Sequence, residues 1–149
     1  MIRGALRHDG ARSRPFVPAL LTIPSLQLSA DTAFLVDTGA DGTLLALRDA
    51  ALMGVDVGLL PAGPPSTGVG GTVRTVQAPA TITLGEHTYD LTLRIVAPET
   101  RAQRLALARI PSLLGRDILA RFALFYDHAQ DLVLLLEADE AAALRRHLP

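Results

Sequence analysis

The chain has 149 residues, of which 49% are apolar and 19% are charged, and its formal net charge is −1. This composition is typical of one compact globular domain and excludes a disordered chain. The near-zero charge gives no indication of nucleic-acid binding, and the absence of cysteine excludes disulfides and a thiolate metal site. No apolar run reaches the ~18 residues of a membrane span, and the N-terminus lacks a secretory pattern. We therefore expect a cytoplasmic protein that binds neither nucleic acid nor membranes.

The first half of the chain predicts a loose start followed by short strands. Residues 1–14 carry four arginines and little apolar patterning, which predicts a flexible N-terminal arm over residues 1–13. Residues 16–28 are apolar but contain or adjoin three prolines, which favours an edge strand or a bent strand. Residues 29–32 are typical of a hairpin turn, and residues 44–53 predict a short strand end followed by a helical turn.

The second half of the chain predicts two hairpins separated by a charged segment. The strand pairs are residues 81–84 with 91–96 and residues 122–127 with 132–136, each pair joined by a polar turn. Residues 99–109 are charged and rich in alanine, which predicts a loop or one helical turn. Residues 138–149 predict a C-terminal helix and tail, with acidic residues near the start and arginines near the end.

The strongest chemical signal lies between Ala33 and Leu45. Residues 34–36 are Phe-Leu-Val, which is typical of a short buried strand. Asp37-Thr38-Gly39 follows at once, and the glycine lets the backbone turn tightly. Asp37 is therefore predicted at the junction of a rigid strand and a turn. The strand would fix the backbone of Asp37, and the turn would leave its carboxylate accessible to a ligand. The structural alternative is that the carboxylate only caps the turn by accepting backbone N–H bonds.

Other chemistries for Asp37 fit the residues poorly. An EF-hand loop beginning at Asp37 would place Gly39 third and Arg48 twelfth, where a glutamate should bind calcium. The Asp-x-Asp-Gly-Thr motif of haloacid-dehalogenase-type phosphatases needs a closer pair of aspartates and a lysine, but Asp37 and Asp41 are four apart and the chain has no lysine. A serine or cysteine nucleophile finds no support, because the chain lacks cysteine and a Gly-x-Ser-x-Gly elbow.

A glycine-rich stretch, Gly68-Val69-Gly70-Gly71, follows about thirty residues after Asp37. The third glycine of a dinucleotide-binding fingerprint would fall at Val73, and no strand–helix unit surrounds the stretch, so that interpretation fails. Two interpretations stay open. One is a plain glycine-rich hairpin, and the other is a mobile flap, because glycines ease unusual backbone angles and hinge motion.

A second informative segment is Leu113-Leu114-Gly115-Arg116-Asp117. Two apolar residues lead into a glycine, and Arg116-Asp117 opens a predicted short helix. On its own this pattern fits a strand–turn–helix joint in which Asp117 lies near the positive start of the helix.

Together the two segments resemble the retropepsin-like aspartic proteases. In that family an apolar-apolar-Asp-Thr-Gly-Ala-Asp motif forms the active-site loop, and an apolar-apolar-Gly-Arg-Asp/Asn motif crosses behind it. Both occur here in the same order, and the Gly-Val-Gly-Gly stretch is similar to the flap tip of retroviral proteases. The resemblance covers roughly residues 14–137. It implies a mainly β fold, a closed and mostly antiparallel β-barrel-like lobe with one or two short helices.

The resemblance also implies a role for each site residue. The catalytic residues would be Asp37, Thr38 and Gly39; the substrate-binding residues would be Ala40, Asp41, Val69 and Gly70; structural support would come from Gly115, Arg116 and Asp117. In the family the arginine pairs with the second aspartate of the loop, here Arg116 with Asp41, and the threonine bonds across a dimer. No metal or cofactor is implied. The sequence departs from many relatives at Gly42, where they carry a second acidic residue.

Aspartic proteolysis needs two close carboxylates that share one proton. One activates water, and the other donates a hydrogen bond to the scissile carbonyl. The chain has one Asp-Thr-Gly and is too short for two lobes. We therefore expect a homodimer that hydrolyses polypeptides, with Asp37 of each subunit on the twofold axis. The alternative is a non-catalytic dimerisation or peptide-binding module on the same fold.

Overall fold

The computed structural model describes residues 1–68 and 71–149. The strands within these ranges are β1 Ile2–Asp9, β2 Arg12–Ile23, β3 Leu28–Val36, β4 Leu44–Leu45, β5 Ser66–Gly68, β6 Gly71–Val73, β7 Thr75–Leu84, β8 His87–Val96, β9 Leu113–Leu114, β10 Ala123–Asp127 and β11 Leu132–Leu136. The α-helices are short: α1 Leu47–Met53, α2 Arg101–Leu107, α3 Arg116–Leu119 and α4 Ala138–Arg145. None of the helices in these ranges is long and apolar enough to cross a membrane.

Six strands close into a barrel. The ring runs β2–β3–β9–β4–β8–β7 and returns from β7 to β2. Most neighbours are antiparallel, and the exceptions are β3 with β9 and β4 with β8, which are parallel. The expected mainly β, closed and mostly antiparallel barrel is therefore confirmed.

The barrel interior is filled by apolar side chains. Those with no exposed surface include Val17, Leu21, Ile23, Phe34, Ile82, Leu93, Ile95 and Leu114. Full burial of such a side chain contributes on the order of 1.5–3 kcal/mol. Phe34 on β3 and Leu114 on β9 lie within a few residues of Asp37 and Gly115, so the core fixes both strand ends that lead to the two sequence motifs.

The N-terminal segment differs from the expected flexible arm of residues 1–13. Residues 2–9 form β1, which pairs first with β11 and then with β2. Ile2 and Gly4 face inward and are buried, whereas Arg3 is exposed, so the strand does alternate. The alternation is hard to recognise in the sequence because Gly4 occupies an inward position. A Cβ there would overlap the carbonyl oxygen of Phe16 and lie 3.0 Å from a methyl group of Val17.

Of the two placements predicted for the proline-rich strand, an edge strand or a bent strand, the structure excludes the first. β2 lies inside the sheet and not at its edge, because it pairs with β3 on one side and with β1 and then β7 on the other. Pro18 falls between the β1-paired and β7-paired segments, where the missing N–H breaks neither of those two ladders. The hairpin turn expected at residues 29–32 lies earlier, at the 3-10 turn Pro24–Leu26, and Gln27 takes the left-handed conformation with φ 55°. Residues 29–32 belong to β3.

Candidate active site

Asp37 stands directly after β3, and its backbone is held by β9. The Leu35 N–H donates to the Ser112 carbonyl at 2.8 Å, and the Asp37 N–H donates to the Leu114 carbonyl at 3.1 Å. The side chain of Asp37 is half-buried, and its Oδ1 accepts the Gly39 N–H at 2.9 Å. The carboxylate is therefore oriented by its own loop while its other oxygen accepts no hydrogen bond from the described residues.

The second motif braces this loop from behind. The Arg116 N–H donates to the Ala40 carbonyl at 2.9 Å, and the Asp117 N–H donates to the Asp41 carbonyl at 3.2 Å. The Arg116 guanidinium spans the loop, because Nη1 donates to the Thr38 carbonyl at 2.8 Å and Nη2 donates to Asp41 Oδ1. The planar guanidinium of arginine, with N–H donors on two nitrogens, suits two simultaneous hydrogen bonds better than the ammonium group of lysine does. Arg116 thus ties together both sides of the turn that follows Asp37.

Thr43 is a third anchor, and the sequence analysis did not identify it. Thr43 has no exposed surface. Its hydroxyl donates to Asp117 Oδ1 at 2.8 Å and accepts the Gly115 N–H at 3.2 Å, while its backbone N–H donates to Asp117 Oδ2 at 3.0 Å. The Asp117 carboxylate also accepts the Ile118 N–H at 3.0 Å. These bonds lock the start of α3 against the end of the Asp37 loop.

The lack of a side chain at Gly115 allows this close approach. A Cβ built on Gly115 would overlap the carbonyl carbon of Gly42 and lie 2.6 Å from its oxygen. Backbone atoms cannot rotate away as a side chain can, so any larger residue at 115 must push the two segments apart. The glycine of the second motif is therefore explained by packing and not by an unusual φ angle, since its φ is −89°.

An open cleft of about 730 Å³ lies in front of Asp37. On one side it is lined by the loop residues Asp37, Gly39, Ala40, Asp41 and Gly42. The other sides are formed by the two-stranded β5–β6 ribbon, in which Thr67 pairs with Thr72, and by α2. Val69 and Gly70, which the resemblance assigns to substrate binding, lie outside the described residues. A ribbon and a helix thus border the same cleft as the carboxylate.

Charge in this cleft is sparse. The charged residues that line it are Asp37, Asp41 and Arg94, and Asp41 is already bound by Arg116. Within residues 1–68 and 71–149 no group of three His, Asp or Glu side chains could hold a metal ion. The geometry thus offers one oriented carboxylate at the strand end, facing an open cleft.

Arg14 lies on β2 and is not among the residues that line this cleft. It lines a separate cavity of about 380 Å³ together with Arg7, Arg48 and Asp49. Its guanidinium carbon is 5.9 Å from the centre of the Phe16 ring. Among the described residues, Arg14 thus lines a cavity that includes no residue of the Asp37 loop.

Comparison with known proteins gives matches at the level of structure. No protein-family model and no curated protein sequence matches the chain. Among solved structures, the chain is similar to a retropepsin-like aspartic protease from Rickettsia conorii, with 22% identity, 90% of this chain and 88% of that chain covered, and a TM-score of 0.59. It is also similar to EIAV protease in complex with the inhibitor HBY-793, with 23% identity and a TM-score of 0.53. That match covers 76% of this chain and 92% of the other. The closed barrel, the two sequence motifs and these structural similarities all indicate the same fold. The chain has a retropepsin-like fold.

Proposed function

We propose that the chain is an aspartic endopeptidase that works as a homodimer, with Asp37 of each subunit forming the catalytic pair. The observation that carries the proposal is the position of Asp37, a half-buried carboxylate fixed by β9 and the Gly39 N–H at the floor of a large cleft. The two similar structures are named as proteases, and one of them holds an inhibitor, which supports the same reaction class.

The homodimer follows from the chemistry. The reaction needs two carboxylates that share a proton, and two such groups cannot both ionise at close range. Each chain supplies to the cleft one carboxylate that forms no salt bridge within the described residues, Asp37, because Asp41 pairs with Arg116 through Oδ1. The second carboxylate must come from another copy, and a twofold axis brings equal residues together. The Thr38 side chain is exposed, and its hydroxyl has no hydrogen bond to the described residues, so it is free to bond to the partner's loop.

In the proposed mechanism the ionised Asp37 takes a proton from a bound water, which attacks the scissile carbonyl carbon. The protonated Asp37 of the other subunit donates to the carbonyl oxygen and stabilises the tetrahedral intermediate. The Asp37 that took the proton from water then gives it to the leaving amine, and the C–N bond breaks. The pair is left with one proton, as at the start. The Gly39 N–H keeps each carboxylate oriented through these steps.

Substrate binding is proposed for the loop and the ribbon. Ala40 would line the pocket beside the carboxylates, and Asp41 would hold the substrate backbone. Val69 and Gly70 would cover the bound chain as part of a flap that includes β5 and β6. A polypeptide in extended conformation suits a cleft bordered by a loop on one side and a two-stranded ribbon on another.

The test is cleavage of a mixed peptide library by the purified protein, compared with Asp37→Asn, at ~pH 4–7 and at several protein concentrations. We expect cuts made only by the wild type, with a specific activity that rises as dimer accumulates. A folded dimer that makes no Asp37-dependent cut would contradict the proposal and favour a non-catalytic dimerisation or peptide-binding module.

A further inference from the structure

Arg94 places a positive charge in the cleft that the proposed mechanism does not use. It lies on β8 opposite Leu44 of β4, and its backbone N–H donates to the Thr43 carbonyl at 3.3 Å. The backbone position is therefore fixed by the barrel at the end of the Asp37 loop.

The guanidinium of Arg94 occupies the space that a side chain at position 42 would fill. A Cβ built on Gly42 would lie 2.5 Å from Arg94 Nη2 and 3.2 Å from its Cζ. The absence of a side chain at Gly42 thus gives the guanidinium its place against the loop.

The charge of Arg94 is not balanced within the part of the chain that the structure describes. No carboxylate there lies within 4.0 Å of its guanidinium. Asp41, on the same wall of the cleft, forms its salt bridge with Arg116 and not with Arg94. Arg94 is half-buried, and a partly desolvated cation is stabilised when an anion binds it.

We propose that Arg94 is a specificity residue that binds a carboxylate of the polypeptide substrate, namely an Asp or Glu side chain near the scissile bond. This inference rests on the proposed function and adds the substrate class to it. The planar guanidinium lines the same cleft as Asp37 and offers paired donors to a carboxylate. The substrate's C-terminal carboxylate has the same chemistry, and the test separates it from a side chain.

The test uses N-acetylated, C-amidated octapeptides built on a sequence that the protein cuts, with Glu or Gln placed at each position in turn. We expect the wild type to prefer Glu over Gln at one position by about tenfold or more in kcat/KM, as for a charge-assisted hydrogen bond. Arg94→Gln should lose this preference at that position alone, and Arg94→Glu should prefer Lys there. Arg12→Gln, an exposed arginine at the β1–β2 turn, should leave the preference unchanged.

Two results would overturn the inference. One is a wild type that does not distinguish Glu from Gln at any position, and the other is an Arg94→Gln variant that keeps the wild-type preference. If free-acid peptides are preferred to amidated ones and the internal Glu has no effect, then Arg94 binds the chain terminus and the side-chain assignment is wrong.

A separate readout keeps this test independent of catalysis. If the wild type cuts no peptide, the proposed function fails. N-acetylated, C-amidated octapeptide libraries of otherwise random sequence, with Glu or Gln fixed at each position in turn, are then measured for equilibrium binding to the full chain. Glu peptides that bind the wild type about tenfold more tightly than Gln peptides, with no such difference for Arg94→Gln, would support Arg94 as a carboxylate site. Equal binding of the two peptides to the wild type would refute it.

Discussion

Thr43→Val tests whether the buried hydroxyl is needed to hold the active-site loop. Valine matches threonine in shape but cannot bond to Asp117 Oδ1 or accept the Gly115 N–H. A buried donor left without a partner costs about 1–3 kcal/mol, and a lost bond to a carboxylate adds to that cost. We expect the free energy of unfolding to fall by about 2–4 kcal/mol, which in a domain of this size lowers Tm by roughly 5–15 °C.

The assay is urea unfolding at neutral pH, with thermal unfolding as a second probe. Thr43→Ser keeps the hydroxyl and should recover more than half of the lost stability. Thr83→Val is the matched control, because the Thr83 hydroxyl bonds to that of Thr88 at 2.8 Å on the exposed side of a hairpin, and it should change stability by less than about 0.5 kcal/mol. A Thr43→Val protein as stable as the control would refute the role assigned to this network.

Three further outcomes follow from the site. Gly115→Ala should lower the free energy of unfolding by about 2 kcal/mol or more by overpacking against Gly42. Gly68→Ala should not, because no atom of residues 1–68 or 71–149 lies within 4 Å of the added Cβ, its chain neighbours aside; equal urea midpoints for the two variants would contradict the close approach. Arg116→Lys should change stability by less than about 1 kcal/mol, because its ion pair is exposed, but should lower kcat/KM about tenfold by loosening the loop; an unchanged kcat/KM would argue against that bracing role. The pH–rate profile should be bell-shaped, because the shared Asp37 pair is active with one proton and inactive with two or none; a flat profile from pH 3 to 8 would exclude such a pair.

The parts of the site that the sequence could predict are those whose signal is local. The apolar strand, the aspartate and the glycine of Phe34 to Gly39 lie within six residues, so the strand end and the carboxylate that follows it can be predicted from a short window. The 132–136 hairpin strand was predicted for the same reason, since its apolar run and polar turn are adjacent in the chain.

The parts that the sequence missed depend on partners far along the chain. Thr43 bonds to residues 72 and 74 positions away, and a threonine after a glycine carries no local sign of that role. β1 pairs Ile2 with Leu135, and short arginine-rich strands are hard to recognise before their partner is known. The guanidinium of Arg94 meets Gly42 only because β8 lies beside β4 in the closed barrel.

The most direct test of the shared catalytic pair is a subunit-mixing experiment. Wild-type protein and Asp37→Asn are combined in equal amounts at a fixed total concentration, left to exchange subunits, and assayed for hydrolysis of a peptide that the wild type cuts. If each active site needs Asp37 from both subunits, only wild-type homodimers work, and the rate should fall to about one quarter of that of undiluted wild type. A rate of about one half would show that each chain acts alone and would contradict the account.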